Sequence, residues 1–326
     1  MEKDKDFLGT EPIGKLLLRL AIPTLAAQLI NMLYNVVDRI YIGHIPKVGA
    51  LALTGVGVCM PLIMIVSAFA VLVGNGGAPR ASIYMGQNNK EDAEKTLGNC
   101  FATQILVAIV LTIVLLLGNR TFLLAFGASE NTISYAAAYM NIYAVGTIFV
   151  QLTLGLNAFI TAQGFAKTGM LSVLIGAVIN IVLDPIFIYV FRMGVKGAAL
   201  ATIISQGVSC LWVLKFLTGK KTVLKIRLKN LVLDGKIVTS VLSLGVSPFI
   251  MQATECLIQL TFNNGMLKYG NDLYVALMSI LFSLTQLIWM PLNGFSQGAQ
   301  PVIGYNYGAK RFDRVKKAFK LQFTVS

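Results

Sequence analysis

The chain has 326 residues, of which 56% are hydrophobic and only 13% charged, with a mean hydropathy of +0.73. A soluble domain carries nearer a quarter charged residues, so a soluble globule of this size is excluded. The net charge of +13 raises nucleic acid as a partner, a question that turns on where the charges sit.

Met1 to Gly14 holds Glu2, Lys3, Asp4, Lys5 and Asp6, with no basic n-region and no small-residue cleavage site. It does not read as a signal peptide, and the first apolar span is expected to stay in the mature protein. Crossing a hydrocarbon core of roughly 30 Å takes about 20 apolar residues. Apolar runs broken by turn residues predict spans at 16–42, 51–73, 100–117, 133–160, 170–191, 197–217, 237–266 and 273–297, with a ninth starting near Ala318. The expected fold class is an all-α polytopic membrane protein.

In the first span Gln28, Asn31, Asn35 and Asp38 follow a 3, 4, 3 spacing that puts them on one helical face. That face is expected to line water or a binding cavity. Inside the spans the only acids are Asp38, Asp184 and Glu255. A charge at the bilayer centre costs about 2.5 to 3.5 kcal/mol on insertion scales, which makes each a functional-site hypothesis. Arg39 is turned by about 100° from Asp38 and is expected to snorkel to the interface; paired with Asp38, it would weaken a proton-carrying role. At the end of the second span Gly74, Gly76, Gly77 and Pro79 loosely resemble a phosphate loop. No G-x-x-x-x-G-K-[ST] follows them, so they read as the span's end.

The fifth span places Asn180 and Asp184 four apart on one face, followed by Pro185. Proline has no N–H, so the carbonyl of Ile181 is left free. A carboxylate, an amide oxygen and a loose carbonyl within one turn suit either a small hard cation or a proton held by a desolvated carboxylate. In the sixth span Thr202, Ser205, Gln206 and Ser209 share a face; one hydroxyl can join that nest, or the group serves interhelical hydrogen bonding. Gln252, Glu255 and Gln259 form a stripe on the seventh span that mirrors the first. The aromatic and methionine residues, Tyr34, Tyr139, Tyr143, Phe149, Met251 and Trp289 among them, are expected to serve mainly lipid contact and packing, some of them lining a pocket for flat cations.

Cys59, Cys100, Cys210 and Cys256 are far apart within apolar stretches, and His44 is the only histidine. Neither a disulfide framework nor a zinc or multi-histidine metal centre is indicated. Of the 27 basic residues, 21 fall in segments on the amino-terminal side of the spans, which makes that side cytoplasmic. The positive charge is thus a topology signal, and the basic run from Lys215 to Lys236 reads as a cytoplasmic loop rather than a nucleic-acid site.

The chain also resembles itself. Pro23 recurs as Pro248 at an offset of 225, and Pro79 and Gly86 recur as Pro301 and Gly308 at 222. A unit of six spans, an even number, gives parallel repeats packed as two lobes about an axis along the membrane normal. The expected organisation is an amino-terminal six-helix lobe at 1–217, an inter-lobe loop at 218–236 and part of a carboxy-terminal lobe at 237–326. Two full units would give twelve spans, against eight here plus the start of a ninth, so the chain is expected to be truncated at its carboxy terminus.

These features together resemble the multidrug and toxic compound extrusion (MATE) family. The likeness rests on the first span ending NVVDRIYIG, the segment PRASIYMGQNNKEDAEK, the motif INIVLDPIFI with GAALATIISQ after it, and PVIGYNYGAKR after the eighth span. It implies a MATE-like two-lobe helical bundle, an antiporter rather than an enzyme, that expels amphipathic or cationic drug-like compounds by alternating access. No cofactor is implied beyond the coupling ion, Na+ or H+. The implied setting is a bacterial plasma membrane, with a monomer as the full-length form and no nucleic-acid partner.

Carried over residue by residue, Asp38, Asn180, Asp184 and Thr202 are similar to the amino-lobe cation or proton site, with Na+ as the metal they would hold. Pro23 is similar to the first-span bend, Pro185 is a second kink candidate, and Glu255 is similar to a seventh-span acid. Gln28, Asn31, Asn35, Gln252 and Gln259 are the substrate-cavity candidates. The sequence departs from the family at Arg39, where a small polar residue is usual, and in the missing last spans. A lipid or lipid-linked oligosaccharide flippase of the same superfamily is the nearest alternative, and would favour a cationic cavity over the acidic and amide groups present. A truncated, non-transporting protein is the other.

Overall fold

The computed structural model describes the backbone of residues 7–269 and 272–325, with side chains throughout except at 259–260, 263–269, 272–280, 282–284, 286–288, 290 and 325. Among the described residues there is no strand. A helical turn, α1 (Phe7–Thr10), precedes eight long helices: α2 (Ile13–Gly43), α3 (Gly49–Gly86), α4 (Lys90–Ala125), α5 (Ile133–Ala162), α6 (Ala166–Pro185), α7 (Val195–Thr218), α8 (Gly235–Tyr269) and α9 (Asp272–Gly308). A last helix, α10, covers Phe312–Val325. Among the described residues seven helices, α2 to α7 and Gly235–Ile258 of α8, are long and apolar enough to cross a bilayer. Their outward faces fit that setting. On α4, for example, Leu106, Ile109, Val110, Ile113 and Leu117 are all exposed, and lipid takes the place of water against them.

Three helices run well past the spans expected from sequence, among them α4, which starts at Lys90 and ends at Ala125 against an expected 100–117. α3 continues through Gly74, Gly76, Gly77 and Pro79 to Gly86, and α9 through Pro301 to Gly308. At 38 residues α3 is about 57 Å long, nearly twice the hydrocarbon thickness. Glycine and proline punctuate chains in water, but these glycines are contact points between helices. A Cβ on Gly74 would stand 2.8 Å from Gly155 Cα, and one on Gly77 would strike Cys100 Sγ and Phe159. Small residues let helix backbones approach where no hydrophobic effect drives them together.

The repeat offsets of the sequence reappear as contacts in space. A Cβ on Gly86 would meet the carbonyl of Tyr305, and one on Gly308 would meet the carbonyl of Ile83, so the two contacts exchange when 222 is added to or taken from each number. Gly76 of α3 touches Gly245 of α8, and its counterpart Gly298 of α9 touches Leu20 and Ala21 of α2. Ser82 and its own counterpart Gly304 face each other, as residues astride a twofold axis must. Because the Gly86 and Gly308 contacts are equivalent, Gly86→Val and Gly308→Val are expected to lower the thermal midpoint in detergent by similar amounts. A large loss from one and none from the other would contradict the equivalence.

The interior divides along the long axis. One apolar cluster, at the end remote from the amino terminus, joins Ile42, Val56, Leu123, Tyr139, Met140 and Ile188. A second, at the near end, joins Leu97, Leu156, Phe159, Val213 and Leu224. A third packs Leu16, Leu17 and Leu20 of α2 against Phe295, Ala299 and Val302 of α9. α2 therefore lies between α6 and α9. Next to the buried Pro23, the Thr24 hydroxyl lies 2.9 Å from the carbonyl of Ala21 and 2.6 Å from that of Gly294, holding the kink-prone stretch of α2 against the second repeat.

Candidate functional site

α2 and α6 pack side by side and bring Asp38 to Asp184. Both carboxylates are buried, at 7% and 0% exposure, and they lie within hydrogen-bonding reach of each other. Asn180, 1% exposed, donates from Nδ2 to Asp184 Oδ1 at 3.3 Å. Three oxygens of this group have no partner: Asp38 Oδ1, Asn180 Oδ1 and Asp184 Oδ2. Buried polar atoms are nearly always satisfied, and each one left bare costs about 1 to 3 kcal/mol, more where charged. Oxygens alone, two of them carboxylate, are the donor set of a hard cation or a shared proton. Among the described residues no cluster of three His, Cys, Asp or Glu exists to hold a transition metal.

Below Asp184 the helix changes character. Pro185 ends α6 and a π-helical turn, Ile186–Val190, follows, with Phe191 N donating to Ile186 O at 2.9 Å. Pro185 offers no N–H to the carbonyl of Ile181, and a wider turn accommodates the lost register. The turn grips the end of α2: Tyr189 donates from its hydroxyl to Tyr41 O at 2.7 Å, and the two rings meet edge to face. Pro185 thus sets the relative position of the two carboxylate-bearing helices.

Thr202 on α7 is half-buried and stands beside Tyr139, whose ring lies within electrostatic reach of Asp38. Tyr139 stacks on Tyr143 with centroids 6.3 Å apart, and Tyr34 stands close to both aspartates. Tyr139 and Tyr143 are buried in the core cluster, the packing role expected of them, and Tyr34 and Tyr139 in addition stand by the carboxylate pair. Sequence carried one usable signal: Tyr34 is four residues before Asp38 and so shares its face. In the rest of the sixth-span group Ser209 Oγ donates across to Ser172 O at 2.9 Å and the backbone carbonyl of Gln206 accepts from Thr153 Oγ1 at 3.3 Å, while Ser205 Oγ turns back to Thr202 O within α7 at 2.8 Å. Arg39 is exposed, and no ion pair among the described residues joins it to Asp38.

The other sequence candidates lie elsewhere. Gln28 and Asn31 are half-buried and Asn35 is exposed, on the side of α2 opposite its exposed apolar residues Ile22, Leu29, Leu33, Val36 and Ile40. A polar face left uncovered away from lipid is the wall of a cleft. Gln252 is held by α3, donating to Met64 O at 3.4 Å, and Glu255 is exposed on α8 apart from the Asp38 group. The side chain of Gln259 lies outside the described residues.

A family model, MatE, matches residues 23–186 and again 248–326, beginning at the two prolines that mark the repeat. The chain belongs to this family of MATE transporters. Among similar proteins is the multidrug export protein MepA of Staphylococcus haemolyticus, 25% identical over 312 residues that cover 95% of this chain and 68% of the relative. Among solved structures, the outward-facing conformation of a multidrug resistance MATE family transporter of the MOP superfamily aligns with a TM-score of 0.91 at 25% identity, covering 98% of this chain and 71% of that one. A MOP superfamily transporter from Pyrococcus furiosus, whose reversed pocket polarity suggests a different function, aligns at 0.90 and 25%, with 98% and 71% covered. This MATE chain is accordingly a multi-pass membrane protein with multidrug exporters as relatives.

Proposed function

We propose that this chain acts as a secondary active multidrug efflux antiporter, which exports amphipathic or cationic compounds in exchange for Na+ or H+ by alternating access. The observation that carries this reading is the trio of buried, unpartnered oxygens on Asp38, Asn180 and Asp184. A site that costs stability when bare is stabilised by whatever cation enters it, and its two carboxylates sit on the helices clamped by the Pro185 turn. Occupancy of the site then alters how α2 sits against α6. Pro23 gives α2 a place to bend, and the polar wall from Gln28 to Asn35 lies between that bend and the ion site.

Likeness to an outward-facing structure supports an outward-open state in which the close glycine contacts near Gly76, Gly86, Gly298 and Gly308 seal the amino-terminal side. The basic residues gathered there support a cytoplasmic assignment for that side. The lobe assignment at 1–217, 218–236 and 237–326, the role of Glu255 as a second acid and the monomeric working state belong to the same proposal.

The test is ethidium efflux from proteoliposomes under an imposed Na+ gradient, an imposed proton gradient, or neither. Efflux that rises above the no-gradient control with at least one ion is expected. Equal efflux in all three arms would reject antiport.

A further inference from the structure

The basic segment after α7 has two different sides. Its inner side is pinned to the first repeat by buried groups. Leu224 is fully buried in the near-end core, and Gln163 Oε1 accepts from Thr222 Oγ1, Val223 N and Leu224 N, each at 2.8 Å. Arg227 pairs with the buried Glu94 at 2.8 Å. Asn99 accepts from Asp234 N at 2.7 Å, while Asp234 caps α8 by accepting from Lys236 N. The strap from Thr222 to Asp234 is thus rigidly held before α8 starts.

Its outer side is apolar and basic. Leu228 is 87% exposed, Val232 79%, and Leu233 is exposed beside them, around the 3-10 turn Leu228–Asn230. Lys220, Lys221, Lys229 and Lys236 are exposed in the same short segment, and none of them has an ion pair among the described residues. Between Lys215 and Lys236 the only acid is Asp234. A single exposed leucine is ordinary, but three outward apolar side chains in one segment with four exposed lysines are the composition of a surface that sits in a bilayer interface.

Position agrees with composition. The strap is bonded to α4 at Glu94 and Asn99, and the exposed apolar face of α4 starts at Leu106, about 10 Å further along the axis. On α7 the exposed Leu211 is followed by exposed Lys215 and then by the strap. The apolar belt of the transmembrane helices therefore runs up to the strap, which stands at headgroup depth.

We propose that residues 220–236 form a lipid-docking strap. Leu228, Val232 and Leu233 enter the upper acyl region, and Lys220, Lys221, Lys229 and Lys236 bind the headgroups of anionic phospholipids. Ordering by Gln163, Asn99 and Glu94 means the surface is formed before lipid arrives, so little conformational entropy is lost on docking.

The four native cysteines are free and buried, so nitroxides can be placed on Leu228→Cys and Val232→Cys in the full chain. Leu117→Cys on the lipid face and Asn131→Cys on an exposed turn serve as controls. Collision rates with oxygen and with a water-soluble nickel chelate are read in vesicles of phosphatidylglycerol with phosphatidylcholine and in phosphatidylcholine alone. In the anionic vesicles the labels at 228 and 232 are expected to match that at 117. They should shift toward that at 131 in pure phosphatidylcholine, and again when Lys220, Lys221, Lys229 and Lys236 are all changed to Gln while the label at 117 stays as before. Labels that match 131 in the anionic vesicles overturn the proposal and leave the surface to a protein partner. Equal immersion in both lipids, unaffected by the lysine changes, overturns its anionic part.

Discussion

Asp184→Asn is expected to reduce ethidium efflux in drug-sensitive cells to the empty-vector level while membrane abundance and thermal stability hold or rise. Asparagine keeps the shape of the side chain and an acceptor for Asn180 Nδ2. It replaces the bare Oδ2 by an N–H donor aimed at the same space. A cation that used that oxygen loses one formal charge and one ligand, and a charged hydrogen-bonding group is worth about 1.5 to 3 kcal/mol, so ion affinity falls by roughly ten- to a hundredfold. The fold gains, because two facing buried carboxylates become one and the new N–H can donate to Asp38. Stability and activity thus move in opposite directions, the signature of a site that trades stability for function. Loss of both would mean that Asp184 is structural, and wild-type efflux would remove it from the mechanism.

Gln163→Leu is expected to be among the most destabilising single changes outside the ion site. Gln163 is almost fully buried, and its one carbonyl oxygen serves three donors of the strap. Leucine fills similar volume and accepts nothing, so the N–H groups of Val223 and Leu224 lose their partner at about 1 to 3 kcal/mol each, while the Thr222 hydroxyl keeps Leu224 O. Partial rewetting at the membrane edge trims the sum, leaving a loss of about 2 to 4 kcal/mol. The thermal midpoint in detergent should fall by roughly 5 °C or more. Trypsin should cut faster at Lys220, Lys221 and Lys225, because a strap no longer held by Gln163 opens locally before the bundle does. Gln163→Glu keeps the acceptor and is expected to preserve the resistance to cleavage. Unchanged cleavage in the leucine variant would show that Leu224 and the Asn99 bond hold the strap without Gln163.

Much of the bundle was legible because lipid simplifies the code. With no water to satisfy a backbone, a span must be helical, so a run of apolar residues locates it. A polar residue inside such a run is rare enough to be informative, which is why Asp38, Asn180 and Asp184 stood out. The ends of α3 and α9 were not legible, since Gly74, Gly76 and Gly77 break chains in water yet serve close packing here. Tyr139 was also missed as a neighbour of the carboxylates. An aromatic residue in a membrane helix looks the same whether it faces lipid or a carboxylate, and only the neighbour on α2 distinguishes the two.

By itself, the sequence of 326 residues with 13% charge determined that the chain lives in a membrane, where the middle of each helix lies, and that its first part recurs at offsets of 222 and 225. These follow from local rules, the length of a span and the pitch of a helix, which need no knowledge of neighbours. Tertiary structure alone decided that Asp38 meets Asp184, that Pro185 opens a π turn clamped on α2, and that Gln163 ties down the linker. Each depends on which helix packs beside which, a choice made by many weak apolar contacts and a few close glycine approaches spread over the whole bundle.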